Sequence, residues 1–275
     1  RYIYTIYGGG GINFQRPSYT FVKDDKIYVA DTNNGRVAVF NYEGRYSRGF
    51  GSSGPGKLIY PVSVTVLDNK VLVADVGTKK IHVYDMEGKF AGYFAEGLIN
   101  APCSIFYKDK QVFAVDKGLM EVVVFDSNGN KVRSFGGKGM DPGKFYYPYS
   151  VYVSDDNKVY VADSNNNRIQ VFRPDGSLLQ ILNGQDLMEG GRYSVPRGTA
   201  FDKDGNLYTA EGLINSVSVT NKEGLVTGRF RYAEPRKRDS KVTDAINLPT
   251  SVFIDDRGRL YVTEFGKSRV LVYQL

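Results

Sequence analysis

Residues 159–172 read VYVADSNNNRIQVF. An apolar, β-branched run ends at Asp163, three asparagines follow, and Arg168 opens a second run through Ile169, Val171 and Phe172. Two alternating apolar runs joined by a short Asn-rich segment read as a strand, a tight turn and a return strand. An acid, a cluster of amides and a guanidinium this close together would also suit a metal or substrate site. The rest of the chain bears on that choice, because the stretch recurs.

Related stretches are IYVADTNNGRVAVF at 27–40, VLVADVGTKKIHVY at 71–84, VFAVDKGLMEVVVF at 112–125, LYTAEGLINSVSVT at 207–220 and LYVTEFGKSRVLVY at 260–273. The acid falls at Asp31, Asp75, Asp116, Asp163, Glu211 and Glu264, and a β-branched strand residue follows six positions later each time. A proline precedes every copy, at Pro17, Pro61, Pro102, Pro148, Pro196 and Pro249. Three residues before each proline stands an apolar or aromatic residue: Phe14, Leu58, Ile99, Phe145, Tyr193 and Ile246. After the second strand comes a turn ending in glycine, such as DMEG at 85–88 or DSNG at 126–129, where a positive φ is required. A further strand then follows.

One unit is therefore four short strands, repeating every 41–53 residues. That period and strand count describe a blade of a β-propeller. The expected fold is all-β, a six-bladed β-propeller of four-stranded antiparallel blades forming one domain over 1–275. Its blades begin near 17, 61, 102, 148, 196 and 249. The sixth copy ends after three strands, so residues 2–8 (YIYTIYG) are expected to complete it, closing the ring and removing an open edge.

The pattern P-x-x-V, then Y-V-A-D, N-x-R-I-x-V-F and D-x-x-G resembles the NHL repeat, with 148–172 the best match. Blades three and five depart from it: Glu121 and Ser216 stand where the basic residue belongs. The resemblance implies a fold more than a function, since NHL propellers serve as protein-binding, RNA-binding and occasionally enzymatic platforms. Peptide-amidating lyases share the propeller and use histidine-bound zinc. Lactonase-like propellers hold a central calcium with oxygen ligands instead, which residues of this chain could supply.

Composition narrows these classes. The chain has 21 Tyr, 16 Phe and 31 Gly with no Trp, which favours strands and turns. A net charge of +6 permits an acidic partner without demanding nucleic acid. Cys103 is the only cysteine and His82 the only histidine, so an internal disulfide, a multi-histidine zinc site and a triad not based on His82 are excluded. His82 alternates within KIHVY and is expected on a blade surface. Asp202 and Asp255 read as first-hairpin turn residues.

Because the acid is present in all six copies, a structural role is expected for it. Asp31–Arg36, Asp75–Lys80, Asp163–Arg168 and Glu264–Arg269 are predicted turn pairs, each worth about 0–1 kcal/mol if exposed. Asn165, Asn166 and Asn167 suit turn positions. These turns and the loops before each proline share one face, the upper face, and the D-x-x-G turns lie on the other. Two upper turns are apolar, with Leu119 and Met120 in blade three and Leu213 and Ile214 in blade five. Basic residues gather nearby at Arg192, Arg197, Arg231, Arg236, Arg238, Lys237 and Lys241. Together these residues form the expected partner surface.

The expectation is a non-catalytic scaffold that docks a protein partner as a subunit or accessory of a larger assembly, with no catalytic residue, resident metal or cofactor assigned. A lactonase-like enzyme and an RNA-binding module are the alternatives. The chain starts at Arg1 rather than Met and shows no stretch long enough to span a membrane. Loss of an N-terminal segment and a periplasmic or extracellular setting are the corresponding expectation.

Overall fold

The computed structural model describes residues 1–184, 192–232 and 244–275. Six four-stranded antiparallel sheets form the blades, and a small hairpin, Gly8–Gly9 with Ile12–Asn13, sits beside them. Blade two is typical, running outward through Pro61–Leu67, Lys70–Asp75, Lys80–Asp85 and Phe90–Phe94. Four of its fellows likewise begin at the repeat proline: Pro102, Pro148, Pro196 and Pro249. Blade one begins at Tyr19. In the sixth sheet the outermost strand is Tyr2–Ile6, paired with Arg269–Gln274 from the other end of the chain. No α-helix occurs among the described residues, and no helix there is long and apolar enough to cross a membrane.

The second and third strands carry the most continuous apolar runs because both of their faces are covered by neighbouring blades. Ile27, Val29, Val37, Val39, Leu72, Val73 and Ile81 are all buried. The apolar clusters lie at the seams: Tyr28 and Val39 of blade one pack with Val66 and Val73 of blade two. Outer strands alternate, as in Phe90–Phe94, because one edge faces solvent.

The first strands line the axis and tie the ring together with small hydroxyl residues. Ser63 accepts the Ile105 N–H of blade three at 3.1 Å, and Ser104 accepts the Val151 N–H of blade four at 3.2 Å. Ser150 donates to the Arg197 carbonyl at 2.6 Å, and Ser251 accepts the Thr20 N–H of blade one at 3.3 Å. Blade five has Gly198 instead, where an added Cβ would stand 2.5 Å from the Ser251 backbone. The Tyr-rich stretch KFYYPYSVYV at 144–153 belongs to this innermost layer and the loop above it.

Candidate functional site

On the upper face each blade acid does the same work. Its carboxylate accepts the backbone N–H two residues before the blade's proline: Gln15 to Asp31 at 2.8 Å and Asn100 to Asp116 at 2.8 Å are examples. Ile59 donates to Asp75 at 2.6 Å, Tyr146 to Asp163 at 2.7 Å, Ser194 to Glu211 at 2.8 Å and Asn247 to Glu264 at 2.6 Å. The apolar residue three before the proline is buried beneath the loop in every blade, as with Phe145 and Leu58. Loop and turn are thus fastened together by one group.

The other carboxylate oxygen takes one of two partners. Arg36 meets Asp31 at 2.7 Å, Arg168 meets Asp163 at 2.8 Å, and Arg269 is bonded to Glu264. These pairs are almost wholly buried, which overturns the small exposed-pair value: removing one partner of a buried pair costs about 3–5 kcal/mol. In blades two and three the turns contain Gly77 and Gly118, whose N–H groups reach the carboxylate at 2.8 and 2.9 Å, followed by Thr78 and Leu119. The expected Asp75–Lys80 pair does not form. Asp75 is saturated by backbone donors, and Lys80 turns outward to Glu96 at 2.8 Å and over the Tyr93 ring. In blade five the missing base is supplied from the outer strand, Arg229 meeting Glu211 at 3.1 Å.

A second device links each turn to the next blade. Every upper turn holds a left-handed residue: Gly35, Lys79, Met120, Asn167, Asn215 and Ser268. Where that residue has an acceptor of suitable length, it takes the N–H of the residue just before the next blade's proline. Asn167 takes Val195 at 2.9 Å, Asn215 takes Leu248 at 2.7 Å, and Ser268 takes Arg16 at 3.0 Å. The Met120 sulfur faces the Tyr147 N–H at 3.3 Å. Those four recipients all have φ between 47° and 53°, an unfavourable conformation for a non-glycine residue and most of all for branched Val195. Tyr60 and Ala101, which follow Gly35 and Lys79, have no positive φ. Among the residues just before the blade prolines, the left-handed backbone occurs only where such an acceptor faces it.

Met120 is therefore buried, which corrects its place on the expected partner surface: the left-handed turn directs its side chain down against Phe145 and Val151. Asn166 donates to Asp163 at 2.8 Å, so the three asparagines serve the turn and its neighbour. His82 is buried rather than on a surface. Its Nδ1 bonds the Gly56 carbonyl at 3.1 Å and its Nε2 the Thr78 hydroxyl at 2.8 Å, and burial lowers its pKa below 6.5. Both ring nitrogens are engaged within blade two and its loop. Burial likewise pushes the Cys103 thiol up to about 12. Asp202 and Asp255 do cap first-hairpin turns, accepting the Asn206 and Arg259 N–H groups at 2.8 Å. Among the described residues no three His, Cys, Asp or Glu side chains gather as a metal-holding group.

What remains free on the upper face is apolar and basic. Leu213 is 71% exposed, Leu119 47% and Ile214 half-buried. The loops before the prolines add Tyr7, Ile12, Ile59, Leu98, Met140, Tyr146 and Tyr147, all exposed. The lower turns expose no large hydrophobic among the described residues. Sequence reasoning missed these loop residues because it looked only at turn tips, although their position before each proline marks them. At the channel mouth Arg197 lies over Tyr149, 5.1 Å from its ring centre, and Lys117 lies over Tyr147 at 5.8 Å. Arg192 and Arg231 are exposed, whereas Arg236, Lys237, Arg238 and Lys241 lie outside the described residues.

Comparison with known proteins agrees with this architecture. The NHL repeat model matches residues 145–172, and a model described as a 6-bladed beta-propeller, DUF5128, matches residues 12–95. The E3 ubiquitin-protein ligase TRIM32 of Mus musculus is 46% identical over 132 residues, 45% of this chain and 19% of that protein. Protein brain tumor of Drosophila melanogaster is 28% identical over 130 residues, 45% of this chain and 12% of that protein. The matched stretches are thus less than a fifth of either relative's own length. Among solved structures, virginiamycin B lyase from Staphylococcus aureus superposes with a TM-score of 0.64 at 16% identity, covering 95% of this chain and 85% of the lyase. That likeness is one of fold alone. The chain is a six-bladed β-propeller, and its residues 145–172 match the NHL repeat.

Proposed function

We propose that the chain is a non-catalytic scaffold that docks a protein partner on its upper face. The observation that carries this reading is the concentration of exposed apolar side chains in the upper loops: the pre-proline loops and the blade-three and blade-five turns hold them, and the lower turns hold none among the described residues, though Leu275 is exposed beside the Gly258 turn. Apolar points among basic residues suit a protein surface that is itself apolar with an acidic rim. The blade acids and His82, which an enzyme would need, are occupied in holding the ring. Relatives named as E3 ubiquitin-protein ligases are in keeping with a propeller used for protein contacts.

The test is capture from the source cells on immobilised protein, with bound proteins identified by mass spectrometry. Leu119→Glu combined with Leu213→Glu should abolish capture of the partner while shifting stability by less than about 0.5 kcal/mol, since both side chains are exposed. Unchanged capture by that variant would overturn the reading. Binding to mixed single-stranded RNA that weakens steeply with salt would instead favour the nucleic-acid alternative.

A further inference from the structure

On the lower face, the seam between blades four and five differs from its counterparts. Four first strands carry an aromatic residue at one register position: Phe21, Phe106, Tyr152 and Phe253, opposite Tyr28, Phe113, Tyr160 and Tyr261 of the second strands. Blade five has Ala200 there, opposite Tyr208, and its aromatic residue, Phe201, comes one position later, opposite Leu207. A one-residue step moves a side chain to the other face of the sheet. Phe201 therefore points into blade four, its ring 4.8 Å from Tyr160 and 5.8 Å from Tyr152.

The D-x-x-G turn makes a second difference. In blades one and two its second residue fills the seam: Met86 packs among the blade-one and blade-two side chains, and Tyr42 lies under Arg259 at 3.6 Å. In blade five that residue is Lys222, which is exposed. The outcome is a cleft of about 490 Å³ with Tyr160, Leu182, Phe201 and Leu207 as its apolar floor and Lys203 and Lys222 at its rim. This size falls within the range of small-molecule sites.

The charges at the rim are unequal in availability. Asp156 is held by Lys158 at 2.8 Å and by Ser154 at 2.5 Å, and Asp155 by Lys108 at 2.5 Å. Asp202 accepts three bonds from its own turn, from Asp204 and twice from Asn206. Lys203 and Lys222 make no ion pair with any described residue. Burial and the nearby Asp156 push the Tyr160 hydroxyl up to about 12.

We infer that this cleft is a binding site for a small planar carboxylate, its ring seated against Phe201 and Tyr160 and its anionic group between Lys203 and Lys222. The site is independent of the upper-face reading, and each can fail without the other. The probe is 2-naphthoate, compared with uncharged 2-naphthalenemethanol by calorimetry, with intermolecular NOEs locating the ring. Saturable 2-naphthoate binding with NOEs to Tyr160 and Phe201, and weaker binding of the alcohol, is expected. Lys203→Ala with Lys222→Ala should lower 2-naphthoate affinity about tenfold and leave the alcohol unchanged, since two exposed ion pairs supply about that much. Absence of saturable binding, NOEs only to other residues, or full affinity in the double variant would each overturn the assignment.

Discussion

Blades three and four use the same acid at the same position and complete it differently. In blade four Asp163 binds the Tyr146 N–H and the guanidinium of Arg168, and Arg168 also donates to the Asp141 and Lys144 carbonyls at 2.8 and 2.9 Å. In blade three Asp116 binds the Asn100 N–H and then the Gly118 and Leu119 N–H groups of its own turn. One blade neutralises a buried carboxylate with a buried cation, and the other solvates it with backbone dipoles. The invariant element is the carboxylate and its pre-proline N–H. The base is one of two ways to satisfy what is left over.

The largest effect follows directly. Asp163→Asn leaves the Arg168 charge buried without its counter-charge, so urea unfolding should show a loss of about 3–5 kcal/mol. Asp116→Asn strands backbone donors only and should cost about 1–3 kcal/mol. Equal losses at the two sites would break the distinction. The links to the next blade come next. Asn215→Ala deprives the left-handed Leu248 of its acceptor and should cost about 1–3 kcal/mol, whereas Lys79→Ala, whose side chain accepts nothing from the next blade, should stay within about 0.5 kcal/mol.

A smaller effect concerns pH. Burial lowers the pKa of His82, so below about 6.5 the unfolded chain binds more protons than the folded one. Stability should therefore fall as pH drops from 6.5 toward the folded-state value, by at most about 1.4 kcal/mol per pH unit, and be flat above 6.5. With only one histidine in the chain, His82→Gln should abolish this slope, as thermal melts between pH 5.5 and 7.5 would show. A slope that persists in that variant would overturn its assignment to His82.

The ring was legible in the sequence because its evidence is periodic. Acid, proline, glycine turn and the complementary strand at residues 2–8 each recur or pair at a fixed offset. The burial of Arg36 and Arg168 was not legible, since a charged residue in a turn reads as exposed until the loop covering it is known. The covering loop did leave a signal in Phe14 and Phe145, three residues before their prolines, which are buried as plugs. Lys80 matched the basic pattern yet left the pair, because Gly77 two residues past Asp75 lets the backbone donate first. Arg229 could not be found by turn spacing, for it comes from a strand eighteen residues beyond Glu211. The lower cleft was hidden for another reason: a single-residue displacement at Ala200–Phe201 is invisible until the strand register is fixed.

The strand at Tyr2–Ile6 has a mechanical consequence. It runs antiparallel to Arg269–Gln274, with Tyr2 opposite Tyr273, and the Arg1 amino group donates to the Gln274 carbonyl at 2.6 Å. The two ends of the chain thus leave the ring side by side. Tension between them would load the hydrogen bonds of this seam one at a time, as a zipper, and not all together in shear. Pulled from its ends, the ring should open at blade six under low force while the other five blades are still folded.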